Sequence, residues 1–288
     1  MGTRTMPAGA SLRRQARIHR VWLYAVLVLG AVMLTTPFLW MTTSSLKDEA
    51  HIWLYPPQWI PNPLHWQNYT RAMQEHPFHL FFRNTLILVV VGEIATVGSA
   101  SICGYGFAKF RFPGRELLFG FALATLMLPQ IVLLIPQFII FRYLGWIDTY
   151  WPLLVPLFFG GNAFFVFLFR QFFRTIPDEL CEAAKMDGCS ELGIYGRIVL
   201  PLSKPVLTTA VIFTFVGTWN DFMGPLIYIN TPAKKTLALG LAHFKGYYGT
   251  QWHLLMAASV VVTVPVLIVF FAAQRYFVQG IAFSGLKG

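Results

Sequence analysis

The sequence predicts an all-α polytopic membrane protein with six transmembrane helices and both termini in the cytoplasm. Three observations predict it. Of 288 residues, 56% are hydrophobic and only 12% charged, whereas about a quarter of an average soluble domain is charged. The apolar residues gather into six blocks, near 21–43, 84–107, 117–141, 151–172, 206–229 and 254–277, each of the roughly 20 residues that cross a bilayer as a helix. Finally, most Lys and Arg residues fall in alternate intervening segments. No strand-length alternation suggests a barrel, and a backbone in hydrocarbon must satisfy its own hydrogen bonds, so each block is read as a helix.

The cytoplasmic N-terminal segment, 1–20, carries Arg4, Arg13, Arg14, Arg17 and Arg20. The block after it opens the six-helix membrane domain, 21–277. It exceeds the apolar core of a signal peptide and lacks a small-x-small site after Pro37, so it is expected to be retained. An external loop, 44–82, follows. Four prolines between Tyr55 and Pro63 exclude a regular helix there, and its Trp and Tyr residues suit a membrane interface. His51, His65, His76 and His79 show no zinc-ligand spacing.

Glu93 lies some ten residues into the second block, close to mid-membrane at about 1.5 Å per residue. A carboxylate at that depth is costly, so Glu93 is expected to face protein or water, either lining a polar path or bonding a neighbouring helix. The third block, in LMLPQIVLLIPQF, holds Pro129 and Pro136, each of which invites a kink or break.

Between the fourth and fifth blocks lies a polar loop, 170–205, containing EAAKMDGCSELGIYGRIVLPLSKP. Its five basic and five acidic residues cancel, which suits a protein partner better than anionic headgroups. Two short helices are expected. Pro177 suits the first turn of one, where Asp178 and Glu179 complement the helix dipole, and Gly188 suits its left-handed C-terminal turn. Ser190 is placed to cap the other, which is expected to run toward Val199 and end at Pro201. Ala183 and Ala184 admit close approach of a partner, while Glu182 and Asp187 offer carboxylates to its cations or backbone donors.

The fifth block holds GTWNDFMGP. Trp219, Asn220 and Asp221 offer the apolar face and hydrogen-bonding groups that suit a sugar-like solute, or they tie helices together. Successive helical residues are about 100° apart, so no more than two of them face one passage, and Asn220 with one neighbour is expected there. External loop 230–253 joins the fifth and sixth blocks, and 278–288 forms a cytoplasmic tail. The basic residues Lys109, Arg111, Arg115, Arg170, Arg174, Lys185, Arg197, Lys204, Arg275 and Lys287 join the N-terminal arginines on one side, and the positive-inside rule makes that side cytoplasmic.

The net charge of +10 is spread among short loops, which argues against nucleic acid as a partner. Cys103, Cys181 and Cys189 offer neither a disulfide framework nor a metal spacing. No phosphate-binding Gly-rich loop and no His-Glu-x-x-His occurs, so no catalytic, cofactor or metal residues are assigned. A stand-alone secondary transporter using Glu93 and Asp221 is an alternative, but it leaves loop 170–205 without a purpose and shows no internal repeat.

Glu182-Ala183-Ala184, three residues, Gly188, nine residues, Ile198, one residue, Leu200-Pro201 resembles the EAA loop of ABC importer permeases without a gap. QRYFVQGIAFSGLKG, GTWNDFMGPLIYI and LMAASVVVTVPVLIVFF are similar to the tail and last two spans of the maltose-type carbohydrate permeases. The resemblance covers nearly the whole chain. It implies the ABC importer type I permease fold in a bacterial or archaeal plasma membrane. It also implies a second permease subunit, two copies of a cytoplasmic ATPase that binds the ATP and Mg, and an external solute-binding protein. By the same resemblance, Glu182 would meet a basic residue of the ATPase groove, Asp187 and Gly188 would shape the turn, Ile198, Leu200 and Pro201 would anchor the loop, and residues 274–288 would reach the ATPase pair. Cys189 and Tyr195 depart from the usual residues while conserving size or aromaticity. A sugar or polyol is the implied solute, with glycerol phosphate or a phosphodiester as the alternative.

Overall fold

The computed structural model describes residues 8–246 and 249–285, with side chains over 17–246 and 249–274. Residues 1–7 of the N-terminal segment and 286–288 of the tail lie outside the described residues, as do the side chains on which the expectation for 275–288 rests.

The chain forms two compact units, Met1–Ala72 with Thr250–Val260, and Met73–Gly249 with Val261–Gly288. In the first unit, helix α1, Ala8–Ser44, contains an apolar stretch of mean hydropathy 1.9 with none of its residues buried. An apolar stretch of this length is long enough to cross a bilayer as a helix. Its threonines suit such a setting. Thr35, Thr36 and Thr42 each donate their hydroxyl to the carbonyl four residues earlier at 2.7–2.9 Å, so no donor meets hydrocarbon unpaired.

The proline-rich segment after α1 is ordered by a few side chains. Asn68, on α2 (Gln67–Glu75), donates to the carbonyls of Ser45 at 2.9 Å and Lys47 at 2.7 Å. The Ser45 and Tyr69 hydroxyls lie 2.7 Å apart. Lys47 is buried with its ammonium 4.0 Å from the centre of the Trp40 ring, and burial pushes its pKa below the usual lysine range.

The second unit is organised on α3, Phe78–Lys109, which packs along α6, Ala163–Phe173, and α9, Lys204–Trp219. Gly104 makes the first contact possible. A Cβ there would stand 2.6 Å from Phe169 Cβ and 3.1 Å from the Arg170 backbone nitrogen. Arg170, though buried, is held on several sides. Its Nη2 donates to both Glu116 oxygens at 2.8 Å, its Nε to the Phe107 carbonyl at 3.3 Å, and its guanidinium lies 3.9 Å from the centre of the Phe119 ring.

Several blocks read as single helices prove to be broken. The third is α4, Arg115–Ala124, a 3-10 turn Thr125–Met127, and α5, Gln130–Tyr143, with the two helical arms bent by 101°. Pro129 is the cause, since its ring drives the preceding residue out of the α region and Leu128 is extended at ψ 118; Pro136 stays inside α5 without breaking it. In the fourth, short helical turns over Trp151–Leu154 and Val155–Phe158 end at Gly160 and Gly161, both at positive φ. Gly161 passes so close to α3 that a Cβ would stand 3.0 Å from Thr96 Cα. The fifth stops at Trp219 and resumes as α10, Met223–Tyr228. The last helix, α11, Trp252–Gly285, contains Pro265 unbroken. Among the described residues four segments, Arg17–Ser44, Phe78–Lys109, Trp151–Phe173 and Trp252–Gln274, are long and apolar enough to cross a membrane, the third despite its turn at Gly160 and Gly161, and six when each bent pair counts as one span. Two two-residue strands, Lys245–Gly246 and Gly249–Thr250, are the only β-structure among the described residues.

Two loops of this unit are clasped by Asp148. Its carboxylate accepts from the Asn230 and Thr231 backbone N–H groups at 3.0 and 2.8 Å, from the Thr231 hydroxyl, and from Lys234 Nζ at 3.0 Å. The Thr231 hydroxyl, its backbone N–H and Lys234 together hold this carboxyl well below the usual carboxylate range. Asp148→Ala leaves those donors without their acceptor, at a cost of about 1–3 kcal/mol. Thermal unfolding in detergent should therefore show a transition several degrees lower. A depressed folded pKa gives stability that is complete above the unfolded value of about 3.9 and is lost only as pH falls below it. The gap between wild type and variant should accordingly be equal at pH 8 and pH 5 and narrow only in stronger acid.

Candidate functional site

Loop 170–205 folds as two helices. The first, α7, is Asp178–Met186, with Pro177 at its N-cap and Asp178 and Glu179 in its first turn. It ends as Gly188 allows. At φ 82 this glycine turns the chain back so that its N–H reaches the Lys185 carbonyl at 3.0 Å, and the Cys189 N–H reaches Ala184 at 2.9 Å. That pair of bonds satisfies carbonyls the helix end would otherwise strand. Ser190 then caps α8, Glu191–Leu202, accepting from the Gly193 N–H at 3.2 Å.

The second helix differs from expectation at its end. Pro201 does not stop it; the helix runs on to Leu202 and turns by 82° at Ser203 into α9. The reason is a wide π turn over Tyr195–Val199, in which the Leu200 N–H reaches back five residues to the Tyr195 carbonyl. The widening precedes a residue that has no N–H to offer and whose ring needs room.

One face of this loop is fused to the transmembrane helices. Ile176, Cys181, Ala184, Ile194 and Val199 share a buried cluster with Ala100 and Tyr105 of α3, Phe169 and Phe173 of α6, and Val206 and Ala210 of α9, with Ile198 packed against it. Polar bonds reinforce it. Tyr105 donates to Glu191 at 3.2 Å, Glu191 pairs with Lys185 at 2.6 Å, and the Tyr195 and Ser101 hydroxyls lie 2.6 Å apart. Lys109 Nζ donates at 2.6 Å to both the Ile176 carbonyl and Asp178. These bonds hold the Asp178 carboxyl below, and the Lys185 ammonium above, their usual pKa ranges.

The opposite face is bare. Of the residues expected to meet a partner, Glu182, Ala183, Asp187 and Gly188 are exposed, as is Pro201, and Leu200 is half-buried, whereas Ala184 differs from expectation, since one position further round the helix it turns into the buried cluster. Beside them Met186 and Leu192 are 89% and 79% exposed. Two large apolar side chains thus stand in the open beside charged residues at the tip of the loop. They escaped sequence reasoning because Met and Leu in a helical pattern read as core. The network of Tyr105, Glu191 and Lys185 escaped it as well, since its partners lie as far as 86 positions apart.

The second group of candidate residues is divided. Trp219 is buried, its indole N–H donating to the Val262 carbonyl at 3.2 Å, with Phe215 stacked on it. Asn220 is exposed and its amide turns back to the Val216 carbonyl at 2.9 Å. Asp221, in the break after α9, accepts from the Gly224 N–H at 3.1 Å and lines two cavities, of about 500 and 470 Å³. Glu93 lines neither. It is half-buried on α3, with both carboxylate oxygens enclosed and without a hydrogen-bond partner among the described residues.

Broken apolar helices, an exposed two-helix loop and the cavities around Asp221 define a multi-pass membrane transport component. Residues 97–283 match the model of the binding-protein-dependent transport system inner membrane component family, and the chain belongs to that family. It is 35% identical over 93% of its length to a probable ABC transporter permease protein, YurM, of Bacillus subtilis (strain 168), covering 88% of that protein. It is 31% identical over 95% of its length to the arabinooligosaccharides transport system permease protein AraQ of the same organism, covering 98%. The sn-glycerol-3-phosphate transport system permease protein UgpE of Yersinia pestis is 31% identical over 92% of this chain and 96% of its own length. A chain of a bacterial ABC transporter involved in the import of the acidic polysaccharide alginate shares the fold, with a TM-score of 0.81 at 24% identity over 92% of this chain and 98% of that one. The chain is thus a permease subunit of a binding-protein-dependent ABC transport system.

Proposed function

We propose that this chain forms half of the translocation pathway of a carbohydrate importer in the bacterial or archaeal plasma membrane, with both termini in the cytoplasm. A second permease supplies the other half, an external binding protein delivers the solute, and two copies of a cytoplasmic subunit bind and hydrolyse ATP with Mg. This chain carries no catalytic step of its own. The names of the relatives support transport of sugars or glycerol derivatives, and the observation that carries the coupling role is the two-faced loop.

The exposed face offers Glu182, Ala183, Asp187 and Gly188, flanked by Met186 and Leu192, to an ATPase groove. The other face is locked into α3, α6 and α9. Ile198, Leu200 and Pro201 set the base of the knob, where the chain turns into α9. A push on the tip then moves α3 as a rod, because Ser101, Tyr105 and Lys109 hold the loop at one end of that helix while Leu88 and Thr96 line the Asp221 cavity further along it.

The test is solute uptake in the native host with and without this chain. Labelled saccharides should enter in a manner that needs this chain and cellular ATP. Uptake that persists when ATP is depleted but the proton gradient is kept would contradict the proposal.

A further inference from the structure

We propose that the loop after α1, residues 53–66, lies in the outer surface of the lipid bilayer as an uncharged aromatic collar, its rings at the boundary between headgroups and hydrocarbon. From the transport reading above it takes only the side of the membrane; the collar and its lipid partner go beyond that reading.

The apolar side chains of this loop point outward. Trp53, Tyr55, Trp59, Ile60, Leu64 and Trp66 are all exposed, Tyr55 at 93% and Ile60 at 82%. Exposed apolar groups gathered in this way belong to membrane or protein contacts, and charge separates the two. No Asp, Glu, Lys, Arg or His occurs between His51 and His65. A protein partner is met with a polar rim around the apolar centre, and an anionic headgroup calls for Lys or Arg. An uncharged stretch rich in Trp and Tyr suits the half-wet interfacial zone of a bilayer, whatever the charge of its lipids.

The backbone suits that zone as well. Pro56, Pro57, Pro61 and Pro63 bring no N–H, so fewer donors there need water. Irregular backbone facing lipid is excluded from the hydrocarbon itself. The loop therefore stays at headgroup level while its rings reach inward.

Its depth follows from α1. The apolar run 21–44 rises about 36 Å at roughly 1.5 Å per residue, against a hydrocarbon core of about 30 Å. With Arg20 at the inner edge, about one turn is left over at the outer end, and that turn is 40–44. The loop folds back onto it. The Trp59 and Trp40 rings meet edge to face with centroids 5.3 Å apart, and the Lys47 ammonium covers Trp40. The His65 N–H donates to the Leu46 carbonyl at 2.9 Å. Trp66 stacks on Tyr69 at 6.3 Å between centroids, and the Tyr69 hydroxyl lies beside Ser45. The middle and the far end of the loop are thereby fastened to the end of α1, at the level where Trp and Tyr collect.

The collar gives α1 an anchor. Within this chain its apolar stretch is unburied, and the tilt and depth of a span are set by packing and by interfacial residues at its ends. Arg17 and Arg20 serve the inner end, and the collar serves the outer one.

The experiment places a photo-reactive benzophenone amino acid, one position at a time, in place of Tyr55, Ile60 or Thr70. Thr70 is the water-facing control, exposed on α2 beside the exposed Arg71. The full complex of this chain with its natural partner subunits and external binding protein is reconstituted in vesicles of phosphatidylcholine, or of phosphatidylcholine with phosphatidylglycerol. It is then illuminated, and adducts are read by intact-mass spectrometry per unit of recovered complex, so that a folding defect is counted apart. The expected result is a one-phospholipid adduct at 55 and at 60, none at 70, and the same yield in both kinds of vesicle. Adducts to another subunit at 55 or 60, a missing phospholipid adduct at either, or equal phospholipid adducts at all three positions would overturn the proposal. So would a yield that depends on phosphatidylglycerol, since the collar has no cation to hold an anionic headgroup. None of these outcomes alters ATP-dependent uptake, on which the transport reading is judged separately.

Discussion

Glu182→Lys is expected to leave the chain folded in the membrane and to reduce recovery of the ATP-hydrolysing subunit thirtyfold or more. Glu182 is exposed on α7, while the buried face of that helix is carried by Cys181 and Ala184. The substitution therefore disturbs little within the chain. At the proposed docking face it replaces an attraction for a basic groove with a repulsion, an effect of about 2–5 kcal/mol when the pair is enclosed. Glu182→Gln, which removes the charge without reversing it, should fall between. Quantitative pull-down with a tag on this chain reads both. Full recovery of the ATPase with Glu182→Lys would show that the loop docks by another face.

Gly104→Leu is expected to have the largest effect on the fold. The first added carbon already stands 2.6 Å from Phe169 Cβ, 3.1 Å from the Arg170 nitrogen and 3.2 Å from the Val166 carbonyl oxygen. Two of those three are backbone atoms, so no rotamer change relieves the contact and α3 must move away from α6. Overpacking by a single carbon, Gly104→Ala, costs about 1–3 kcal/mol, and leucine costs more. Gly106, two residues on, has nothing within 4 Å of its Cβ position. Gly106→Ala should be neutral or stabilise the helix by up to about 1 kcal/mol. Thermal unfolding in detergent should show a large loss for Gly104→Leu and none for Gly106→Ala. Equal stability of the two variants would contradict the packing described.

Positions of the apolar blocks were legible because hydropathy over twenty residues is a bulk property that local detail does not change. The break at Pro129 was legible too, since proline acts on its own neighbours. Other breaks were harder. Gly160 and Gly161 end the short fourth segment through positive φ and a close pass over Thr96, and a glycine pair in an apolar run reads equally well as helix–helix packing.

In loop 170–205 the turn at Gly188 and the cap at Ser190 were readable residue by residue, whereas the π turn that carries the helix through Pro201 was not. At 219–221 helical periodicity showed that the three residues must part, but not which would face a cavity. The chain breaks there, Asn220 satisfies its amide on its own helix, and Asp221 is left toward the cavities.

The coupling of this chain to an ATPase through loop 170–205 is tested most directly by purifying the tagged chain from its native membrane in mild detergent and measuring ATP hydrolysis in the eluate. The proposed coupling role predicts a stable complex that hydrolyses ATP, with both the partner and the activity lost for Glu182→Lys at unchanged yield of this chain. A chain recovered alone and inert as wild type, or an ATPase retained in full by the variant, would contradict it.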